Sequence, residues 1–197
     1  MENSQNVYVA SPKVGGAIWS APAGTPVPTD ATSTLPDAFA SLGYISEDGI
    51  VNATETDSEE IKAYGGVVVK TVQSSRKETF TFTPIETNKE TLALQYGEDN
   101  VTVDAKGNLT AVHNAKQRAA RVYVIETLLD ENRVSRDVIP FGRVTSVGEK
   151  TYASNAAIAA EIELSCEADE LGNTAYTYIA EIVDEGIDAP SEEIEGA

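Results

Sequence analysis

Hydrophobic and polar residues alternate with a period of two along most of the chain, which is the pattern of half-buried β-strands. Residues 78–83 place Phe80 and Phe82 on one face of a strand and threonines on the other. Residues 158–167 alternate in the same way, with small and aliphatic side chains facing inward. The outward positions form two polar rows, Thr79, Thr81 and Thr83 in the first strand and Glu161, Glu163 and Glu167 in the second.

Short polar turns join the predicted strands into antiparallel hairpins. The three hairpins are residues 67–85 with a turn at 73–76, residues 100–114 with a turn at 106–108, and residues 121–147 with a turn at 130–132. Residues 121–129 are strongly β-forming and apolar on both faces. We therefore expect that strand either in the centre of a sheet or beneath a neighbouring subunit.

One short helix is predicted at about residues 87–97, where the apolar spacing changes from two to about four. Thr87 and Glu90 have the spacing of a capping box, which marks a helix start. A helix of about ten residues is unstable alone and must pack on something. Leu92 and Tyr96, four residues apart, form its expected contact face.

These elements predict a mainly β fold, an antiparallel β-sandwich or split barrel with one flanking α-helix. The 197 residues fit a single domain, which we place at residues 1–183. Within it, residues 1–42 predict an extended, proline-rich N-terminal arm, and residues 47–66 predict a long acidic loop. The last segment, residues 184–197, has the composition of an acidic disordered tail.

The amino-acid composition argues against most kinds of catalytic and metal-binding site. The chain has one cysteine and one histidine, so an internal disulfide and a Cys/His zinc site are excluded, and a catalytic triad would depend on His113 alone. A calcium site from Asp57, Glu59 and Glu60 lacks the spacing of an EF-hand loop. Glutamates at i and i+2 of an exposed strand are more typical of a solvated face than of a glycosidase pair. We predict no catalytic, metal or cofactor-binding residue.

The net charge of the chain limits the kinds of partner that it is expected to bind. A net charge of −18 and a pI near 4.3 argue against ordinary nucleic-acid binding and against binding to anionic membranes. No apolar run reaches the roughly 18 residues of a membrane span, and no secretory signal is expected. Open sheet edges, the arm and the loop would all gain from a partner surface. The residues alone therefore predict an acidic, non-enzymatic β protein that assembles.

Two segments carry a family resemblance. Residues 16–50 (GAIWSAPAGTPVPTDATSTLPDAFASLGYISEDGI) and 58–97 (SEEIKAYGGVVVKTVQSSRKETFTFTPIETNKETLALQYG) resemble the major tail, or tail tube, proteins of lambda-type siphophages, especially those of actinobacteria. The resemblance implies a virion protein, assembled in the host bacterial cytoplasm, that forms hexameric rings stacked into a tube through which DNA passes. It also implies a tape-measure protein, a tail terminator and distal tail proteins as partners, and no catalytic residues.

The resemblance also suggests which residues assemble. The expected ring-stacking and inter-subunit candidates lie in the loop and the arm: Glu47, Asp48, Glu55, Asp57, Glu59, Glu60, Tyr64, Trp19, Pro26 and Pro28. The threonine row and the glutamate row are rival candidates for the face that lines the lumen, and either row is otherwise a solvent-facing surface. Neither row contains a lysine or arginine, so a polyanion is expected to slide past without binding.

A different resemblance points to another function. Residues 101–111 (VTVDAKGNLTA) are similar to a stretch of bacterial immunoglobulin-like adhesion domains, which would make the protein a cell-surface binding module. The absence of an expected secretory signal and the proline-rich arm argue against that alternative.

Overall fold

The computed structural model describes residues 7–12, 16–130 and 132–182, and that part of the chain contains eleven strands and one α-helix. The strands are β1 Ser11–Pro12, β2 Ile18–Pro22, β3 Ala40–Ser41, β4 Ile45–Lys62, β5 Val68–Pro84, β6 Val101–Val103, β7 Leu109–Ala111, β8 Arg121–Asp130, β9 Arg133–Val147, β10 Ile162–Cys166 and β11 Tyr176–Glu181. Helix α1 spans Lys89–Tyr96, and a short 3₁₀ helix follows at Glu98–Asn100. The predicted tail at residues 184–197 lies outside the described residues.

Nine of the strands form one antiparallel sheet. Its main path runs β3-β2-β8-β9-β10-β5-β4, with β1 added beside β8 and β11 beside β9. Strand β8 lies between β2 and β9, so the prediction that this apolar strand is central is confirmed. The remaining two strands, β6 and β7, form a separate hairpin whose turn contains Gly107, with φ of 82°.

The two ends of this sheet are brought together by the chain itself. Strand β3 at one end is followed directly by β4 at the other, with only residues 42–44 between them. An extended link of that length spans at most about 14 Å. The Leu42 amide donates to the Ile18 carbonyl on one side (2.9 Å), and the Ile85 amide donates to the Tyr44 carbonyl on the other (3.0 Å). The sheet is thus a split barrel, since no ladder joins β3 to β4.

The sheet is buried on both faces in its central part. One face surrounds a cluster that includes Phe80, Phe82, Tyr123 and Ile162, with Leu94 of α1 packed against it. The opposite face of β8 and β9 carries a second cluster built on Val122, Val124 and Val138. Alternation along β8 explains this division, because its odd and even positions point to opposite faces.

Helix α1 begins one residue later than the sequence predicts. Asn88, not Thr87, is the N-cap: its side chain accepts from the Thr91 amide at 2.9 Å, and the Thr91 hydroxyl accepts from the Asn88 amide at 3.0 Å. Gly97 ends the helix with φ of 91°. Leu92 is buried as expected, whereas Tyr96 instead stacks on His113 with ring centroids 4.0 Å apart.

The predicted N-terminal arm is largely part of the fold. Residues 18–22 form the internal strand β2, and residues 23–39 lie over the second cluster, where Phe39 is buried. Its proline-rich composition predicted an extended segment, and the segment is held in place by a side chain of a distant strand. The Arg136 guanidinium donates to the carbonyls of Asp30 (2.8 Å) and Ser33 (2.7 Å).

The predicted loop at residues 47–66 is instead a long β-hairpin. Strand β4 covers most of it and pairs with β5 from Ile45↔Pro84 to Lys62↔Val68. The turn predicted at residues 73–76 is wrong as well, because those residues lie inside β5 and the real turn is at 63–67. A register shift between Asp57 and Ser58 absorbs the polar break that suggested a turn.

Candidate assembly surfaces

The outer part of the β4–β5 hairpin is a two-stranded ribbon that leaves the body of the protein. We define the ribbon as residues 54–62 and 68–77. Strand β10 pairs with β5 only as far as Ser165↔Thr79, so beyond that point β5 is paired with β4 alone. All side chains of the ribbon are exposed, and nine residues of strand extend about 30 Å. A two-stranded hairpin without further packing is only marginally stable in water.

The end of the ribbon, residues 61–72, forms an apolar and cationic tip. A tight turn closes it, with the Ala63 amide donating to the Val67 carbonyl at 2.8 Å. Tyr64 is fully exposed, and Val67 is 67% exposed. Further exposed apolar side chains of the tip are Ile61, Val68, Val69 and Val72. The tip contains Lys62 and Lys70, while Glu59 and Glu60 lie directly opposite Val72 and Thr71 in the hairpin.

The acidic candidates lie along β4 below this tip. Glu55, Asp57, Glu59 and Glu60 are all exposed, and strand alternation places the first three on one face. The Ser75 hydroxyl donates to Asp57 (2.8 Å), and Glu60 lies 3.2 Å from the Lys62 ammonium. Within the described ranges, no group of three or more acidic, histidine or cysteine side chains is arranged to hold a metal ion.

The base of the ribbon is tied to the body by a polar cluster. Arg76 donates to the Thr174 hydroxyl (2.8 Å) and to Glu78 (2.9 Å), and the Thr174 hydroxyl donates to Glu78. Burial acts to raise the pKa of Glu78, but hydrogen bonds from Thr174, Asn52 and Arg76 outweigh it and lower the pKa. These contacts fix the direction in which the ribbon leaves the body.

A polar cavity of about 480 Å³ lies beside this cluster and contains a second carboxylate, Asp137. Burial is the main influence that raises the pKa of Asp137. The nearby Glu78 raises it further, and the hydrogen bond that the Thr177 hydroxyl donates (2.5 Å) offsets part of the effect. Sequence reasoning missed this pair because the two residues are far apart in the chain.

The two polar rows predicted as rivals belong to one surface. In the β5–β10 ladder, Thr81 lies opposite Glu163 and Thr79 lies opposite Ser165, and directly opposed residues point to the same face. Thr83 and Glu161 continue the same alternation just beyond the ladder. We call this surface the polar face. The sequence could not show that the rows coincide, because the register between β5 and β10 is set by tertiary pairing.

The polar face is not free of basic residues. Lys77 of β5 lies 3.0 Å from Glu163, and Arg143 of β9 donates to Glu167 through two nitrogens at 2.5 and 3.1 Å. The Lys77 ammonium lowers the pKa of Glu163, and the Arg143 guanidinium lowers the pKa of Glu167. The surface is therefore not free of bases as expected: Lys77 continues the threonine row of β5, Arg143 of β9 lies beside the glutamate row, and the carboxylates of Glu163 and Glu167 are paired.

The remaining candidates occupy different environments. Glu47 and Asp48 lie at the start of β4, and the Ser46 hydroxyl donates to Asp48 at 2.8 Å. Trp19 of β2 is half-buried against the second cluster, Pro28 is buried, and Pro26 is exposed. The structure therefore brings the ribbon residues together but separates them from the three residues of the predicted arm.

A buried ion pair that sequence reasoning missed holds the segment 23–39. Arg136 is 1% exposed and donates to Glu126 from two nitrogens, at 3.0 and 2.5 Å. Both residues occupy strand positions whose neighbours at i±2 are apolar, Val124 in β8 and Val134 and Val138 in β9. Charged residues inside an apolar row were the available signal for a buried pair.

Comparison with known proteins identifies the family. The family model described as phage tail tube protein matches residues 1–189. The chain belongs to the phage tail tube protein family. Its role is thus structural, as a component of a virion. This match includes residues 101–111, the only basis for the adhesion-domain alternative, and that alternative is not retained. No curated protein matches the sequence of this tail tube protein.

Two of the similar solved structures come from contractile injection systems and a related tube cap. One is the extracellular contractile injection system PVC sheath–tube complex in its extended state, with 10% identity and a TM-score of 0.39. The other is the anti-feeding prophage cap, the AFP tube-terminating cap, with 11% identity and a TM-score of 0.37. Each match covers 91% of this tail tube protein and 100% of the other chain. In the described part of the chain, no helix has the length and apolar character needed to cross a membrane.

Proposed function

We propose that this tail tube protein polymerises as stacked rings of six subunits, which form the tube of a siphophage-type tail. DNA passes along the lumen of that tube into the host. The observation that carries the proposal is the ribbon: a hairpin about 30 Å long, exposed on both faces and tied to the body of its own subunit at its base by Arg76 and Lys77. A protein that keeps such an element exposes aggregation-prone backbone unless a neighbour covers it.

Ring closure is supported by the free edge of the sheet. Strand β4 is the last strand of the sheet path, and among the described residues it pairs only with β5. Its outer edge offers backbone donors and acceptors along 18 residues. Adding a strand of the next subunit to that edge would satisfy them, and a closed ring of subunits would leave no edge open.

The polar face is the proposed lumen surface. It presents short threonine side chains beside carboxylates that are already paired with Lys77 and Arg143. Paired bases have less positive charge to offer to phosphates, and the subunit as a whole is strongly acidic. Such a surface lets DNA move without holding it, which is what transient passage requires.

The wider assembly follows from the family. A tube of defined length needs a tape-measure protein inside it during assembly, a terminator at one end and distal tail proteins at the other. We propose these as the partners of this protein, and the host cytoplasm as the place of assembly. The ring-stacking candidates Glu47, Asp48, Glu55, Asp57, Glu59, Glu60 and Tyr64 all lie on the β4–β5 hairpin that would contact the next ring.

Two measurements test this function. Negative-stain microscopy of the purified protein at high concentration should show rings or hollow tubes, with sixfold symmetry in end-on averages. Mass spectrometry of purified virions should find the protein as a major tail component. Its absence from virions would overturn the proposal, and a clear symmetry other than sixfold would overturn the ring order alone.

A further inference from the structure

The molecule carries a second exposed apolar surface, at the opposite end of β4 from the tip. Between the N-terminal segment and the start of β4 lies a groove with a volume of about 580 Å³. We define the groove by Pro12, Ala17, Tyr44, Ile45, Glu47 and Ile50. Tyr44 is 75% exposed at its rim. Contiguous exposed apolar surface of this kind marks interaction sites.

The groove and the tip have complementary charge. Glu47 is the one charged side chain among the described residues that line the groove. The tip carries Lys62, which is already paired with Glu60 at 3.2 Å, and Lys70, which forms no ion pair among the described residues. Complementary charge at the edge of an apolar contact favours this pairing over others, since like charges brought together would be costly.

We propose that the tip of one subunit inserts into the groove of a second copy of this chain, with Tyr64 as the apolar anchor and the tip lysines beside Glu47. This inference rests on the proposed function, because it names the site that receives the ribbon when rings stack. The groove is mainly apolar, with Ser11, Ser46, Thr127 and Glu47 as its polar side chains, and such a pocket suits an aromatic anchor flanked by aliphatic residues.

The geometry of β4 makes the contact intermolecular. Ile50 in the groove and Lys62 in the tip belong to one continuous strand and are separated by about 40 Å at the rise of an antiparallel strand. A strand cannot fold back onto its own beginning without breaking its ladder with β5. Two different patches that fit each other, at opposite ends of one subunit, form a head-to-tail contact that propagates instead of closing.

Site-directed cross-linking tests the contact. The chain with both Tyr44→Cys and Ala63→Cys, which keeps the Tyr64 anchor, is incubated under mild oxidation at a concentration where the wild type assembles, and a non-reducing gel is run. We expect a ladder of disulfide-linked dimers, trimers and longer species. The native Cys166 is buried, and burial raises its pKa to about 12, so this thiol stays protonated and unreactive.

A matched control separates specific docking from collision. Tyr152 is also exposed, at 73%, but lies outside the groove, so the chain with Tyr152→Cys and Ala63→Cys should give at least tenfold less linked product. Equal linking by both chains overturns the inference. A product that stops at dimers overturns the head-to-tail arrangement.

Charge exchange gives an independent readout. Glu47→Lys alone, or Lys62→Glu with Lys70→Glu, should raise the concentration needed for assembly several-fold, and the combined variant should recover part of the loss. If tubes form normally and the charge variants show no such coupling, the proposed docking site is overturned. The proposed function is not affected by that result. If the cysteine variant forms no links, the wild-type chain forms no tubes and the protein is missing from virions, both proposals are overturned.

Discussion

Arg136 holds three parts of the molecule at a single point. Its guanidinium bonds Glu126 of the neighbouring strand and the carbonyls of Asp30 and Ser33 in the segment that covers the second cluster. Arg136→Met should lower the free energy of unfolding by about 3–5 kcal/mol, because it leaves the buried Glu126 carboxylate without its cation. Urea denaturation measures the loss.

Two further variants make that test specific. Arg136→Met combined with Glu126→Gln should lose less than the single change, since no uncompensated charge stays buried. Arg133→Met removes a much more exposed ion pair with Glu181 and should cost about 1 kcal/mol or less. Equal losses at Arg133 and Arg136 would contradict the special role of the buried pair.

Asp137 gives a pH-dependent prediction. Its raised pKa means that the folded state binds this proton more tightly than the unfolded state, so the group's contribution to stability falls as pH rises through the folded pKa. Asp137→Asn should therefore be more stable than the wild type at pH 7, with the difference shrinking as the pH falls towards 3.8, the ordinary value for aspartate. Urea denaturation from pH 4 to 8 measures this.

Asp104 serves as the control of opposite sign. The Asn108 side chain and turn amides hydrogen-bond its carboxylate and lower its pKa, so its contribution to stability is present above the ordinary aspartate value and is lost on acidification. Asp104→Asn should thus be less stable than the wild type at pH 7 and approach it at low pH. The same sign for both variants would show that burial does not govern Asp137.

At the scale of single elements, helix α1 allows two adjacent candidate N-cap residues, Thr87 and Asn88, to be compared. Asn88→Ala removes the side chain that accepts from the Thr91 amide and should cost about 1 kcal/mol of unfolding free energy. Thr87→Ala should be neutral within about 0.5 kcal/mol, because Thr87 is exposed and does not cap the helix. Thermal or urea denaturation of both variants compares them. A larger loss at Thr87 would restore the cap that the sequence alone predicts.

The elements that sequence predicted well are those with one buried face. Phe80 and Phe82 in β5, and Ile162 and Leu164 in β10, keep a strict period of two because the core demands it. The ribbon has no buried face, so residues 54–62 show no apolar period and resemble a loop. The segment 23–39 is fixed by Arg136, about a hundred residues away, which local pattern cannot reveal.

For the candidate assembly residues too, local sequence was informative, whereas long-range pairing could not be predicted. Residue type and resemblance selected Tyr64 and the acidic positions of β4, which the ribbon does bring together. Which polar row shares a face with which depended on the pairing of Thr81 with Glu163, a contact across 82 positions of sequence. The pairing of Lys77 with Glu163 depended on that register, and the pairing of Arg143 with Glu167 depended on the register between β9 and β10, so both were missed.

At the scale of the whole molecule, strand β4 takes part in the closure of the subunit and in both proposed assembly contacts. Its first residues follow the link that brings the sheet ends together, its middle forms a free edge, and its end carries the tip. One strand thus contributes to the subunit's closure, to the proposed ring and to the proposed stack. Because these contacts share a rigid ladder with β5, the direction of the ribbon is fixed before a neighbour arrives.

The net charge of each subunit makes assembly depend on the salt concentration. Each carries −18, so subunits in neighbouring rings repel one another over about 30 Å at 10 mM salt but only over about 8 Å at 150 mM. The attraction between the tip lysines and Glu47 is also screened, but it involves few charges at short range, so the long-range repulsion loses more. We therefore expect assembly to increase between 10 and 150 mM NaCl, measured as pelletable tube at fixed protein concentration. Magnesium chloride at matched ionic strength should give a similar yield if screening is the cause, while a yield that falls with salt would mean that short-range ion pairs dominate the interface.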